Sequence, residues 1–124
     1  MDEQKTFDIR DRAFEFAVRV IKFCQFWGKQ AEVSKSLSRQ LPRSATSIGA
    51  NFEEAHSAQS RADFISKNPI SLKEARETSY WLRLIPATAN FDNNVKKGVN
   101  ELKDESSELM RIIASIVVSA KKND

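Results

Sequence analysis

Glycine, proline and cysteine are scarce in this chain, whose 124 residues include three glycines, three prolines and one cysteine. So few turn-forming residues exclude a β-sandwich or a β-barrel, folds that need a turn about every ten residues. The single cysteine, Cys24, excludes an intramolecular disulfide and a zinc site built from cysteines. A helical protein with few, short connections is the fold class that remains.

Long apolar runs and a large excess of one charge are also missing. No stretch reaches the roughly 20 apolar residues that a membrane-spanning helix needs. The first residues, MDEQKTFDIRD, carry charges of both signs and lack the apolar segment of a signal peptide. We therefore expect a cytoplasmic protein without a membrane partner. Lys and Arg total 20 against 17 Asp and Glu, a balance that permits nucleic acid as a partner but does not require it.

The apolar residues that are present recur at helical spacing in four segments. Hydrophobic residues make up 40% of the chain and charged residues 30%, as in a globular protein of one domain, here residues 1–124. The predicted helices span residues 8–27, 34–57, 61–89 and 95–121, with Val99 as an alternative start of the last. Because short connections make neighbouring helices antiparallel, the sequence predicts an all-α, antiparallel up-down-up-down four-helix bundle.

Residues at the predicted helix ends support two of these segments. Asp8 is a suitable N-cap for the first helix, and Gly28 follows the last residue of its apolar pattern. Ser60 is the expected N-cap of the third helix, with Asp63 at the third helical position, as in a capping box. The apolar positions of the third helix are Phe64, Ile65, Leu72, Ala75, Tyr80, Trp81, Leu82, Leu84 and Ile85.

Three prolines, Pro42, Pro69 and Pro86, fall inside the predicted helices. Each removes one backbone hydrogen bond, and Pro42 and Pro69 are expected to kink their helices. The apolar pattern continues unchanged through Pro42. The second segment is therefore one helix, or a loop followed by a helix that begins near Ser38. Pro86 is expected to end the regular part of the third helix early.

The first helix carries more apolar surface than a small bundle needs. Two apolar stripes merge into an arc of about 220° at roughly 100° per residue. The stripes are Phe14, Ala17, Val18, Ile21 and Cys24, and Ala13, Phe16, Val20, Phe23 and Trp27. We expect the surplus surface to contact another subunit, and the interface residues expected are Phe16, Val20, Phe23 and Trp27. The alternative is a helix enclosed within its own bundle.

Basic residues form two ridges at helical spacing. Lys35, Arg39 and Arg43 recur every four residues on the second helix, and Lys73, Arg76 and Arg83 share a face of the third. Such ridges could follow a phosphate backbone, which gives the hypothesis that these six residues bind nucleic acid. The alternative is a pair of solvated faces. In the second ridge, Glu74 and Glu77 are interleaved with the cations and would partly neutralise them.

The sequence contains few residue patterns that are typical of catalytic sites. Glu53 and His56 form one Glu-x-x-His unit, which is half of a carboxylate-bridged di-iron site. His56 is the only histidine, so the second unit is missing. No nucleophile elbow or phosphate-binding loop occurs, and Cys24 is expected to be a small packed side chain. We expect no enzymatic activity, no metal site and no cofactor.

Four polar residues, Asn51, Glu54, Glu74 and Glu77, lie among small or apolar neighbours in the sequence. Because buried polar groups need partners, we expect a structural network that fixes the register of the helices. The expected hydrogen-bond donors are Arg43, Arg76 or Tyr80.

Two blocks in the middle of the chain carry a family resemblance. The first consists of Gln40, Leu41, Arg43, Ser44, Ala45, Ser47, Ile48, Ala50, Asn51, Glu54 and Ala55. The second consists of Asp63, Phe64, Ile65, Lys67, Leu72, Lys73, Glu74, Ala75, Glu77, Thr78, Tyr80, Trp81 and Leu82. With them, the segment 37–85 resembles the bacterial four helix bundle protein family, also called 23S rRNA-intervening sequence proteins. Pro42, Pro69 and Pro86 depart from the pattern of that family.

The resemblance implies an up-down bundle that assembles into a ring-like homopentamer, without enzymatic activity or cofactor. Similar proteins are accessory subunits of reverse transcriptases and bind both the polymerase and nucleic acid, RNA or DNA, through basic surface. Two functions therefore stay open for this chain. One is a homo-oligomer that binds nucleic acid through its basic ridges. The other is a protein-interaction adaptor, with a reverse transcriptase as one partner and with Phe26 as a contact residue. A di-iron or hydrolytic enzyme centred on His56 is the third and least supported hypothesis.

Overall fold

A computed structural model describes residues 3–27, 35–57 and 60–122 of the chain. These residues form four helices: α1 Glu3–Trp27, α2 Lys35–His56, α3 Arg61–Thr88 and α4 Asn93–Lys122. Each helix packs against the next along the chain, and α4 returns to pack against α1. Among the described helices, α1 does not pack against α3, nor α2 against α4. This arrangement confirms the predicted all-α, antiparallel four-helix bundle.

One hydrophobic core lies between the four helices. Helix α1 supplies a single inward stripe, because its fully buried residues are separated by three, four or seven positions. The largest fully buried side chains are Trp27, Phe16, Phe52, Ile9, Leu41, Ile48, Leu82, Ile85, Leu109, Ile113, Val20 and Val99. All four helices contribute to this set, so each helix is held mainly by the burial of its own apolar face.

The helix ends agree with the predictions at α3 and differ at α1 and α4. Ser60 caps α3, and its Oγ accepts a hydrogen bond from the Asp63 backbone N–H at 3.1 Å, as predicted. The predicted N-cap at Asp8 is wrong, since α1 already begins at Glu3 and no helix-breaking residue precedes Asp8. Helix α4 begins at Asn93, because Asp92 Oδ1 accepts a hydrogen bond from the Val95 N–H at 2.9 Å.

The three prolines lie inside continuous helices. Pro42 is within α2, which confirms the prediction of one helix through this position. A helix start at Ser34 lies outside the described residues. Pro86 does not end α3, which continues to Thr88. There the Thr88 hydroxyl group lies 3.1 Å from the Leu84 carbonyl oxygen and can satisfy one carbonyl of the last turn.

Small hydroxyl residues join α2 to α3 inside the bundle. Ser44, Ser71 and Thr78 are all fully buried. The Ser71 hydroxyl donates to the Ile48 carbonyl oxygen at 2.7 Å, and Thr78 Oγ1 lies 2.8 Å from Ser44 Oγ. Because an unpaired buried hydroxyl costs free energy, these bonds favour one register of the two helices. That register determines which charged side chains meet at the rim of the interface.

A pair of glycine substitutions tests the packing of α1 against α2. Gly98 lies within α4, and an added Cβ would meet nothing within 4 Å. Gly49 lies within α2, where an added Cβ would lie 3.6 Å from Ala13 Cβ, an ordinary contact. We expect Gly98→Ala and Gly49→Ala each to raise the free energy of unfolding by up to about 1 kcal/mol through helix propensity. Urea denaturation followed by circular dichroism measures the free energy of unfolding of each variant. A loss of stability in Gly49→Ala but not in Gly98→Ala would show that α1 and α2 are packed too tightly to accept the added methyl group.

Candidate functional site

The outward face of α3 carries a row of three cations and one tyrosine. Lys73, Arg76, Tyr80 and Arg83 follow one another at spacings of three, four and three residues, within about 80° of the helix circumference. All four are exposed. The buried residues of α3, such as Thr78 and Leu82, lie on the opposite side. We call these four residues the α3 stripe.

The two acids interleaved with this row are turned towards α2. Arg43 Nη2 of α2 lies 3.0 Å from Glu77 Oε1 and 3.4 Å from Glu74 Oε1. The Glu74 side chain is only 12% exposed. One guanidinium therefore contacts both carboxylates at the α2–α3 rim, where the three side chains together carry a net charge of −1. This confirms Arg43 as a donor to Glu74 and Glu77 in the predicted network.

The cations of the α3 stripe are consequently not neutralised by their sequence neighbours. Within the part of the chain that the structure describes, none of Lys73, Arg76 and Arg83 forms an ion pair. Glu74 and Glu77, the acids expected to neutralise this ridge in part, form their ion pairs with Arg43 of α2 instead. The α3 stripe presents three positive charges to solvent.

The structure gives a different result for the first predicted ridge, which consists of Lys35, Arg39 and Arg43 on α2. Arg43 is occupied by the two glutamates of α3. Arg39 is exposed. Lys35 is the first residue of α2, and its side chain lies outside what the structure describes. Nucleic-acid binding by these residues stays a prediction, and it rests more on Arg39 than on Arg43.

A second surface feature is an apolar groove between α1 and α2, with a volume of about 310 Å³. Its exposed large apolar residues are Phe14, at 64%, and Ile21, at 38%. At one end, Arg10 of α1 donates two hydrogen bonds to Glu53 Oε1 of α2, at 2.8 and 3.2 Å. The apolar lining of this α1–α2 groove consists of Ala13, Phe14, Ala17, Val18, Ile21, Gly49 and Ala50.

The predicted oligomer interface is wrong at three of its four residues. Phe16, Val20 and Trp27 are at most 1% exposed, because they lie in the core of the chain itself. Phe23 is half-buried, and its ring stacks on that of Trp27 with 5.6 Å between centroids. The surplus apolar surface of α1 is the other stripe, in the α1–α2 groove. Phe26 is 50% exposed, as expected for a residue outside the core.

The residues considered for catalysis are part of the packing. His56 ends α2, where its Nδ1 lies 3.0 Å from the Phe52 carbonyl oxygen and its ring contacts Phe52 and Phe64. Glu53 is bound to Arg10. Cys24 packs against the core, and burial raises the pKa of its thiol from 9.0 to about 11. The thiol is therefore protonated near neutral pH, which makes it a weak nucleophile.

Two further kinds of feature are absent from the described residues. Among them, no group of three or more His, Cys, Asp or Glu side chains is placed so that it could hold a metal ion. None of the described helices has the length and hydropathy of a membrane span.

Two features of this surface differ from what the sequence pattern predicts. Tyr80 falls among the predicted apolar positions of the third helix, but it is 51% exposed. Its spacing from Lys73, Arg76 and Arg83 is the signal in the sequence that places it on the outer face. The α1–α2 groove is not predicted, because periodicity shows two apolar stripes on α1 without showing which one faces inward.

Comparison with known proteins identifies a family and a similar solved structure. The family model described as 23S rRNA-intervening sequence protein matches residues 5–115. A crystal structure from Bacteroides thetaiotaomicron, described as a protein of unknown function from the S23 ribosomal protein family, is 41% identical to this chain. The match covers 91% of this chain and 97% of that one, with a TM-score of 0.80. No curated protein matches.

Proposed function

The chain belongs to the 23S rRNA-intervening sequence protein family, and from that premise we propose that it is a non-enzymatic, homo-oligomeric bundle that binds nucleic acid. RNA is the proposed ligand, and the outward face of α3 is the proposed contact surface. The observation that carries this proposal is the row of three cations, Lys73, Arg76 and Arg83, on that face, none of which forms an ion pair with a described residue.

The geometry of the row suits a polyanion. Ten residues separate Lys73 from Arg83, which corresponds to about 15 Å along a helix. Each cation that contacts a phosphate releases condensed counterions, and this release supplies most of the affinity of sequence-independent binding. Arg43 supports the row indirectly, because it holds the carboxylates of Glu74 and Glu77 towards α2. A phosphate chain on the α3 stripe therefore meets three cations and avoids direct contact with those two acids.

Charge reversal on α3 tests this proposal. We expect Arg76→Glu with Arg83→Glu to weaken binding of a short single-stranded RNA about tenfold or more in dilute salt. The slope of log affinity against log salt concentration should become shallower by about 0.7 for each phosphate that the variant no longer binds. Fluorescence anisotropy with a labelled oligonucleotide, repeated over a salt series, measures both quantities.

The matched control is Arg19→Glu with Lys22→Glu, which makes the same change of net charge. Both residues are exposed on α1, a helix that does not pack against α3. This variant should bind the RNA nearly as well as the native chain. An equal loss of affinity in the two variants would show that only the net charge matters, and an unchanged affinity of the α3 variant would contradict the assignment of the site.

We place the subunit contact of the homo-oligomer in the α1–α2 groove. Phe14 and Ile21 expose large apolar side chains there, and Gly49 and Ala50 would allow a neighbouring helix to approach closely. Burial of such a surface against another copy removes apolar area from water, which is the main driving force of association. The proposed assembly is a homopentamer.

Light scattering tests the subunit contact. The native chain should have a mass near five times 14.1 kDa. Phe14→Glu with Ile21→Glu should reduce the mass to that of one chain, because two carboxylates would be buried without partners. Phe26→Glu is the control, since Phe26 is exposed but lies outside the groove; its mass should stay that of the native assembly. A native monomer would refute the homo-oligomer.

A protein-interaction adaptor is the second candidate function, with a reverse transcriptase as one partner. The α1–α2 groove and the exposed ring of Phe26 favour it, since apolar side chains on a surface are typical of protein contacts. An apolar contact depends weakly on salt, whereas a phosphate contact weakens steeply as salt rises. A partner that stays bound at high salt and is released by Phe26→Glu would favour the adaptor.

A further inference from the structure

Tyr80 occupies an unusual place for a large aromatic residue. It lies at the centre of the outward face of α3, with Arg76 one turn before it and Arg83 one turn after it. Tyr80 is 51% exposed, whereas Thr78 and Leu82, two positions before and after it, are fully buried. Packing within the bundle therefore does not account for the position of this ring.

The Tyr80 ring is partly supported from one side. Its centroid lies 5.4 Å from that of Trp81, with the two rings at 66° to each other. Trp81 is half-buried and packs against the hydrophobic core. Such edge-to-face contacts between aromatic rings are favourable. The Tyr80 ring thus rests against a side chain that is anchored in the core, and about half of the residue stays exposed.

The combination of an open aromatic ring and flanking cations fits one class of ligand. Proteins bind single-stranded nucleic acid with cations that contact the phosphates and aromatic rings on which unpaired bases stack. In a duplex the bases already stack on each other, so the ring would have no base to receive. We propose that Tyr80 is a stacking platform for one base of a single strand whose phosphates contact Lys73, Arg76 and Arg83.

A protein partner fits this face less well. Tyrosine and arginine are also common in protein interfaces, but there they lie in well-packed pockets, whereas Tyr80 lies between exposed cations on a convex helix face. Exposed apolar surface that could receive a protein lies elsewhere on the molecule, in the α1–α2 groove and at Phe26. The proposal rests on the proposed function, and it adds the class of strand that the α3 stripe prefers.

The test compares the native chain with Tyr80→Ala and Tyr80→Phe, using a short oligouridine and an RNA duplex of equal length. We expect Tyr80→Ala to weaken binding of the single strand at least about fivefold, as removal of one stacked base does. Tyr80→Phe, which keeps the ring, should stay within about twofold of the native chain. The affinity for the duplex should be the same for all three proteins. The salt dependence of single-strand binding should be the same for Tyr80→Ala and the native chain, since every cation that binds a phosphate is still present.

A second measurement changes the ligand and leaves the protein intact. The native chain should bind an abasic strand, which keeps the phosphates but lacks bases, as weakly as Tyr80→Ala binds oligouridine. Tyr80→Ala should bind the abasic strand and oligouridine with equal affinity, because it has no ring on which a base could stack. Equal affinity of the native chain for the abasic strand and for oligouridine would overturn the stacking proposal, even if Tyr80→Ala proved unfolded by circular dichroism.

The two proposals fail in different ways. If Arg76→Glu with Arg83→Glu weakens binding but Tyr80→Ala does not, the nucleic-acid site stands and the stacking role is wrong. If the native chain binds neither strand, the proposed function fails, and the stacking role fails with it.

Discussion

The ion pairs that Arg43 makes with Glu74 and Glu77 draw two acidic side chains of α3 towards α2, beside the row of cations on the outer surface of α3. As partly exposed pairs, they contribute little to stability, about 0–1 kcal/mol each. Their consequence is electrostatic, because they hold two carboxylates at the α2–α3 rim and leave Lys73, Arg76 and Arg83 without an acidic partner among the described residues. The contact exists because the buried hydroxyls between α2 and α3 favour one register of these helices. The packing between α2 and α3 thus influences where these charged side chains lie on the surface.

The proposed interfaces occupy different sides of the bundle. The groove lies between α1 and α2, and the stripe lies on α3, which does not pack against α1. A subunit that occupies the groove therefore contacts α1 and α2, and not the α3 stripe, of the chain that it binds. A homo-oligomer would present several stripes to one strand, and linked weak sites bind more tightly than any one of them. Three cations per subunit are a modest site alone, so the proposed assembly would strengthen the proposed nucleic-acid binding.

The fold could be predicted from the sequence because four apolar patterns of helical period and one strong cap at Ser60 point to the same arrangement. The candidate site could be predicted only in part. Periodicity places Lys73, Arg76 and Arg83 on one face, but it does not show that Glu74 and Glu77 reach across to Arg43. Periodicity also shows two apolar stripes on α1, while the choice between Phe16 and Phe14 as the inward residue depends on packing against the other helices. Contacts with side chains on other helices depend on the tertiary structure, and the sequence of a single segment does not show them.

The central claim is that nucleic acid contacts the outward face of α3. The most direct measurement is photo-cross-linking of the native chain to a short single-stranded RNA that carries 4-thiouridine, followed by mass spectrometry of the cross-linked peptides. The account predicts cross-links within residues 73–83, which disappear when salt or an excess of unlabelled RNA is added before irradiation. Cross-links concentrated on α1 or α4, with none within residues 73–83, would contradict it.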